Sequence, residues 1–129
     1  MKILIASTPA TGHLNPLLAI TRILLAEGHE VIFLTGSAFH ACIESTGAKF
    51  VALPMRADFD LREIHSVAPE LKRIPPGLEW FRVAIERIFI DVIPAQHQGL
   101  LQALQECRAD VIVGDNTFFG VLPMLLGPR

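Results

Sequence analysis

Three short apolar runs, Ile3 to Ala6, Val31 to Leu34 and Phe50 to Leu53, recur near the start of the chain, with helix formers or turn residues between them. Each is continuous and bounded by turn residues, the pattern of a parallel strand covered on both faces. Between the first two lie STPATGHLNP and LLAITRILLA. Asn15 as a cap with Pro16 at the first helical position predicts a helix over Leu17 to Ala26, stopped by Gly28. After the second run, Thr35-Gly36-Ser37 leads into an expected helix over roughly Ala38 to Ser45, with Gly47 as its C-terminal stop. Strands alternating with helices at this spacing require right-handed crossovers. The βαβαβ pattern therefore predicts an α/β fold with a Rossmann-like, doubly wound parallel sheet.

From Pro54 to Gly77 the regularity fails. The segment carries four basic and four acidic side chains, ends in Pro75-Pro76-Gly77 and shows one helix-like patch at Leu61 to Val67. A connection of this length is usually a lid or binding loop. Leu78 to Cys107 reads as helical, with Pro94 marking a break or the first turn of a second helix. Val111 to Val113 forms a fourth strand, Gly114-Asp115-Asn116 a turn, and Phe118 opens a last apolar helix.

With 129 residues the chain fits one domain and can bury a substantial core. An apolar fraction of 51% against 19% charged excludes a disordered chain, and eleven basic against thirteen acidic residues leave no electrostatic footprint for nucleic acid or an anionic membrane. Small neutral ligands are the better match. The opening Met1-Lys2-Ile3-Leu4-Ile5-Ala6 is broken by STPATGHLNP before a signal-peptide core accumulates, and no apolar run is long enough to span a bilayer. Cys42 and Cys107 form no CxxC or Cys/His cluster, which argues against structural zinc and a disulfide-stapled secreted domain. The cytosol is the expected compartment.

In an open α/β sheet, ligands bind beyond the carboxyl ends of the strands where the strand order reverses. With order 3-2-1-4, the loops leaving strands one and four start about 4.8 Å apart, one strand spacing. His13 and Asp115 then become neighbours. A neutral imidazole can take a proton from a hydroxyl, and a carboxylate on its other nitrogen fixes the tautomer and stabilises the imidazolium that forms. By spacing alone a single histidine such as His13 is more often a helix-start surface residue than a catalyst, and Asp115 more often a helix cap. The first loop lacks GxGxxG and GxxxxGK[ST], which disfavours a dinucleotide site and excludes a P-loop. Near His13, Thr8, Thr11 and Gly12 are further candidates: the Gly12 backbone and the Thr11 hydroxyl fit contacts to a sugar or acceptor, and equally suit a plain tight turn. Phe118, Phe119, Trp80 and Phe81 are candidate walls for an apolar ligand or core residues, with Phe118 and Phe119 the better placed. His97 reads as a partly buried helix residue, His40 and Cys42 point apart, His29 belongs to a turn, and His65 lies in the irregular segment.

The opening MKILIASTPATGHLNPLLAITRILLAEGHEVIFLTG, with GHLNP before an apolar helix and EGHEV before a strand, closely resembles the start of nucleotide-sugar-dependent glycosyltransferases of the GT-B fold. The branch it resembles most is family 1, with its bacterial macrolide, natural-product and UDP-glucuronosyltransferase-like members. ADVIVGDNTFFG resembles that family's fourth-strand segment and the aspartate after it. The resemblance implies inverting, metal-independent transfer from a UDP-sugar or similar donor to an acceptor hydroxyl, with no further cofactor. His13 matches the family's base and Asp115 the carboxylate that orients it; Thr11, Gly12, Phe118 and Phe119 are the expected acceptor or sugar contacts.

The family has two Rossmann-like domains, and residues 1–129 match part of the amino-terminal, acceptor-binding one. Its donor-binding segment, rich in His, Gly and Glu, has no counterpart in these residues. The expected partners are therefore a hydrophobic small-molecule acceptor and, through a second domain, a nucleotide sugar. The isolated chain is expected to be inactive and, with exposed strand edges and an uncovered cleft face, to self-associate or be poorly stable. The competing expectation is a Rossmann-like module that binds a nucleotide or small ligand without chemistry. A dinucleotide-dependent oxidoreductase half ranks below both.

Overall fold

The computed structural model describes residues 1–127. Four parallel strands, β1 (Lys2–Ala6), β2 (Glu30–Thr35), β3 (Lys49–Ala52) and β4 (Val111–Gly114), pair in the order β3-β2-β1-β4. In register, Ile3 lies opposite Val31 and Val111, and Ala6 opposite Leu34 and Gly114. Because side chains alternate across a strand, Ile3, Ile5, Val31 and Phe33 face one side of the sheet and Leu4, Ala6, Ile32 and Leu34 the other. Both sets are buried, as a doubly covered parallel sheet requires.

Helices α1 (Thr11–Ala26) and α2 (His40–Glu44) cover the first face, where Leu14, Leu17, Leu18 and Ile43 join Phe33. Helix α5 (Ile93–Cys107) covers the second, and its Ala95, Leu100, Ala103 and Cys107 pack on Leu4 and Leu34. Gly47, at φ +95°, takes the left-handed turn before β3, as expected of a glycine stop. The element ahead of it is split, a 3₁₀ turn at Ser37–Phe39 followed by the single-turn α2.

Helix α1 begins earlier than Asn15 and Pro16 suggest. Ala10 is extended (φ −141°, ψ 135°), and its carbonyl accepts from the amides of His13 and Leu14, so the first turn is already formed at Thr11. Pro16 lies inside the helix, where its missing N–H deprives the Gly12 carbonyl of its usual partner. Gly12 is exposed, so that carbonyl is open to solvent and the loss is small. Thr11, Gly12 and His13 consequently stand on a helix rather than in a loop.

The irregular segment after β3 has order of its own. A 3₁₀ turn at Leu61–Glu63, helix α3 (Ile64–Val67) and a 3₁₀ turn at Pro69–Lys72 fold under α4 (Leu78–Ile85) and a π turn at Glu86–Ile90. Ala68, Leu71, Val83, Ala84 and Ile88 form a satellite core, with Trp80 and Phe89 against it. Pro94 falls in the first turn of α5, after the break at Asp91 and Val92. Beyond β4 a 3₁₀ turn at Phe119–Val121 leads into the short α6 (Leu122–Leu126). Among the described residues no helix is long and apolar enough to cross a membrane.

Candidate active site

The β1–β4 pairing extends one residue past the strands, because the Asp115 amide donates to the Ala6 carbonyl at 2.9 Å. Asp115 therefore sits at the carboxyl edge of the sheet, beside the loop that carries Thr8. The Thr8 amide donates to Asp115 Oδ2 at 3.1 Å. His13, in the first turn of α1, reaches across so that Nδ1 lies 2.9 Å from Asp115 Oδ1. Its side chain keeps 29% of its surface exposed, against 5% for Asp115.

Thr117 completes the cluster. Its amide donates to Asp115 Oδ1 (3.3 Å), closing an Asx turn, and its hydroxyl lies 2.9 Å from Asp115 Oδ2, 3.1 Å from Thr8 Oγ1 and 3.3 Å from His13 Nδ1. Burial opposes ionisation of Asp115. The hydrogen bonds from His13 and from the hydroxyl and amide of Thr117, with the charge of His13, outweigh it and hold the carboxyl below its ordinary value of 3.8. At neutral pH Asp115 is thus an acceptor-only carboxylate. An acceptor facing Nδ1 places the proton on that nitrogen, and both side-chain contacts of the ring use it. Nε2 then carries the ring's free lone pair.

The remaining sequence candidates fall in different places. Thr8 is fully buried and serves Asp115, whereas Thr11 and Gly12 are exposed on the turn that carries His13. Phe118 is a fully buried core residue packed with Leu4 and Ala6, and also borders a cleft of about 570 Å³. Phe119 borders the same cleft and meets Phe89 edge to face at 6.4 Å. Val121, Leu122, Met124 and Leu125 supply apolar wall, and Asp115 and Asn116 form its polar end. His13 does not line this cleft, so the pair joins it through Asp115.

Trp80 packs on the satellite core and Phe81 is 58% exposed. His97 Nδ1 lies 2.9 Å from the Gly120 carbonyl oxygen, and His40 stacks on Phe50 and pairs with Glu44. Among the described residues no three His, Cys, Asp or Glu side chains gather as a metal site. Two site residues escape sequence reasoning. Thr117 carried a legible sign, a Thr two positions after an Asp in a turn. Gln96, whose Oε1 accepts from the Gly120 amide at 3.0 Å, had none, because a glutamine within an apolar helix face does not announce its partner.

The sequence is similar to UDP-glucosyltransferase B1 of Starmerella bombicola, 39% identical over 97% of this chain and 30% of that protein. It is also similar to 4'-demethylrebeccamycin synthase of Lentzea aerocolonigenes, 34% identical over 92% of this chain and 28% of that protein. The chain thus spans about 30% of the length of the curated relatives it matches. In fold it is similar to the crystal structure of SsfS6, a Streptomyces sp. SF2575 glycosyltransferase, with a TM-score of 0.70 and 20% identity over 98% of this chain and 37% of that one. No protein-family model matches it. The parallel sheet and its relatives define the class, a Rossmann-like domain of the GT-B architecture. Within that class the chain is similar in sequence to UDP-glycosyltransferases over about 30% of their length.

Proposed function

We propose that this chain is the base-carrying, acceptor-side part of an inverting glycosyltransferase. The observation that carries the proposal is the Nδ1-to-carboxylate contact of His13 and Asp115, 2.9 Å, which leaves Nε2 as a free base. An acceptor hydroxyl loses its proton to His13 Nε2 as its oxygen attacks the anomeric carbon. The glycosidic C–O bond forms, the bond from that carbon to the diphosphate oxygen breaks, and the nucleoside diphosphate departs with the electron pair. Attack opposite the leaving group inverts the anomeric centre. Asp115 stabilises the imidazolium without itself taking the proton. The donor is a nucleotide sugar, UDP-linked in line with the relatives' names, held by a second domain; the step needs no metal ion.

The acceptor is an apolar small molecule such as a natural product. The cleft beside Asp115, with Phe119, Leu122 and Met124 in its wall, suits an apolar body whose hydroxyl reaches the polar end. Thr11 and Gly12, exposed beside His13, are the nearest groups to meet the sugar. Both cysteines are free, which suits a reducing compartment, and we place the protein in the cytosol.

The experiment is His13→Ala in a polypeptide that joins residues 1–129 to a donor-binding domain. Turnover should fall by about 10²–10⁴-fold with acceptor binding retained. Unchanged turnover would remove His13 as the base, and ligand binding without any transfer in the unmutated protein would favour a non-catalytic module.

A further inference from the structure

Asp115 receives four hydrogen bonds, two of them from Thr117. The Asx turn accounts for one, since any residue at 117 supplies its amide. The hydroxyl is additional. We propose that Thr117 is a positioning residue for the base, its hydroxyl holding the Asp115 carboxylate toward His13 and so fixing which ring nitrogen carries the proton. The proposal rests on His13 being the base.

The hydroxyl has one proton to give and three polar neighbours. The ionised carboxylate is the strongest acceptor among them, so the proton goes to Asp115 Oδ2 at 2.9 Å. Thr8 Oγ1, fully buried just beyond β1, lies 3.1 Å from Thr117 Oγ1. A lone pair of Thr117 faces His13 Nδ1 at 3.3 Å. Nδ1 thus meets two acceptors, Asp115 Oδ1 and Thr117 Oγ1. A tautomer with its proton on Nε2 would turn a lone pair against both oxygens, and the pair excludes it. The chain Thr8–Thr117–Asp115–His13 ties together the loops leaving two adjacent strands. His13 is the charged or titratable side chain bonded to Asp115 among the described residues, so no competing ion sets the carboxylate's direction.

The test compares Thr117→Val, which keeps the shape and loses the hydroxyl, with Thr117→Ser, which keeps both the hydroxyl and the turn. In the 129-residue chain, ¹⁵N spectra of the neutral His13 ring should show the Nδ1–H form in the unmutated protein and in Thr117→Ser. Thr117→Val should give a mixture of tautomers, and the Asp115 carboxyl should titrate at higher pH. In the enzyme with a donor domain, Thr117→Val should lower kcat about tenfold with the acceptor KM unchanged, and Thr117→Ser should restore it. A merely structural threonine would lower thermal stability and leave the tautomer alone. That result, or a Thr117→Val spectrum still wholly Nδ1–H, overturns the proposal. The two levels separate. If the tautomer moves while His13→Ala leaves transfer intact, the base assignment falls and the hold of Thr117 on the pair stands. If His13→Ala abolishes transfer while Thr117→Val changes neither tautomer nor turnover, the reverse is true.

Discussion

Gly120 lies flat against α5, and a single methyl there should undo the turn that follows the Asp115 loop. A Cβ at Gly120 would stand 2.5 Å from Gln96 Cβ, 2.8 Å from the Gln96 carbonyl carbon and 2.9 Å from the His97 amide nitrogen. Two of those three atoms are helix backbone and cannot swing away. The 3₁₀ turn at Phe119–Val121 must instead lift off the helix. Lifting it breaks the bond from the Gly120 amide to Gln96 Oε1 (3.0 Å) and the contact of His97 Nδ1 with the Gly120 carbonyl (2.9 Å). Overpacking alone costs about 1–3 kcal/mol, and each lost hydrogen bond about 1 kcal/mol. Gly120→Ala should therefore destabilise the chain by about 3–5 kcal/mol, a large part of the total stability of a domain this size. Urea unfolding of both proteins, followed by far-UV circular dichroism with equal m-values, measures the difference. A loss under about 1 kcal/mol would refute the close packing of this turn on α5.

Asp115→Asn should cost about 1–3 kcal/mol at pH 7, because an amide offers one carbonyl oxygen where the carboxylate has two, and turns a donor toward donors. Since the folded carboxyl lies below 3.8, the native state binds fewer protons than the unfolded one. The advantage of Asp115 over Asn is complete above that ordinary value and shrinks as the pH falls through the folded one; urea unfolding between pH 7 and pH 2 checks the sign, and a difference that grew on acidification would contradict it. Phe33→Ala, at a fully buried centre of the sheet, should cost about 3–5 kcal/mol in the same assay.

Much of the frame is legible in the residues. The runs at Ile3, Val31, Phe50 and Val111 fall on the four strands, and Gly47 takes the conformation that a glycine stop implies. The 3-2-1-4 order, taken as the premise of the site reading, is the order observed, and it brings His13 to Asp115 at the reversal of strand order. The helix start was misread because Asn15-Pro16 is a strong local cap signal, while the true first turn is held by the carbonyl of Ala10, a backbone group with no sequence code. The satellite core under α4 was invisible for a related reason. Leu71, Val83 and Ile88 come from a 3₁₀ turn, α4 and a π turn and share no single period.

Apolar period and turn residues specify elements, and connection rules specify their neighbours, because both act over a few residues or through the handedness of the chain. They carried this chain as far as a parallel sheet with a histidine and an aspartate at its switch point. The proton inventory of that pair is settled at longer range. Thr8 and Thr117 come from loops on different strands and meet through register, and Gln96 and His97 grip Gly120 from across the sheet's second layer. A hydrogen bond needs its donor placed within a few tenths of an ångström. Local pattern has no means of specifying that distance, and packing does.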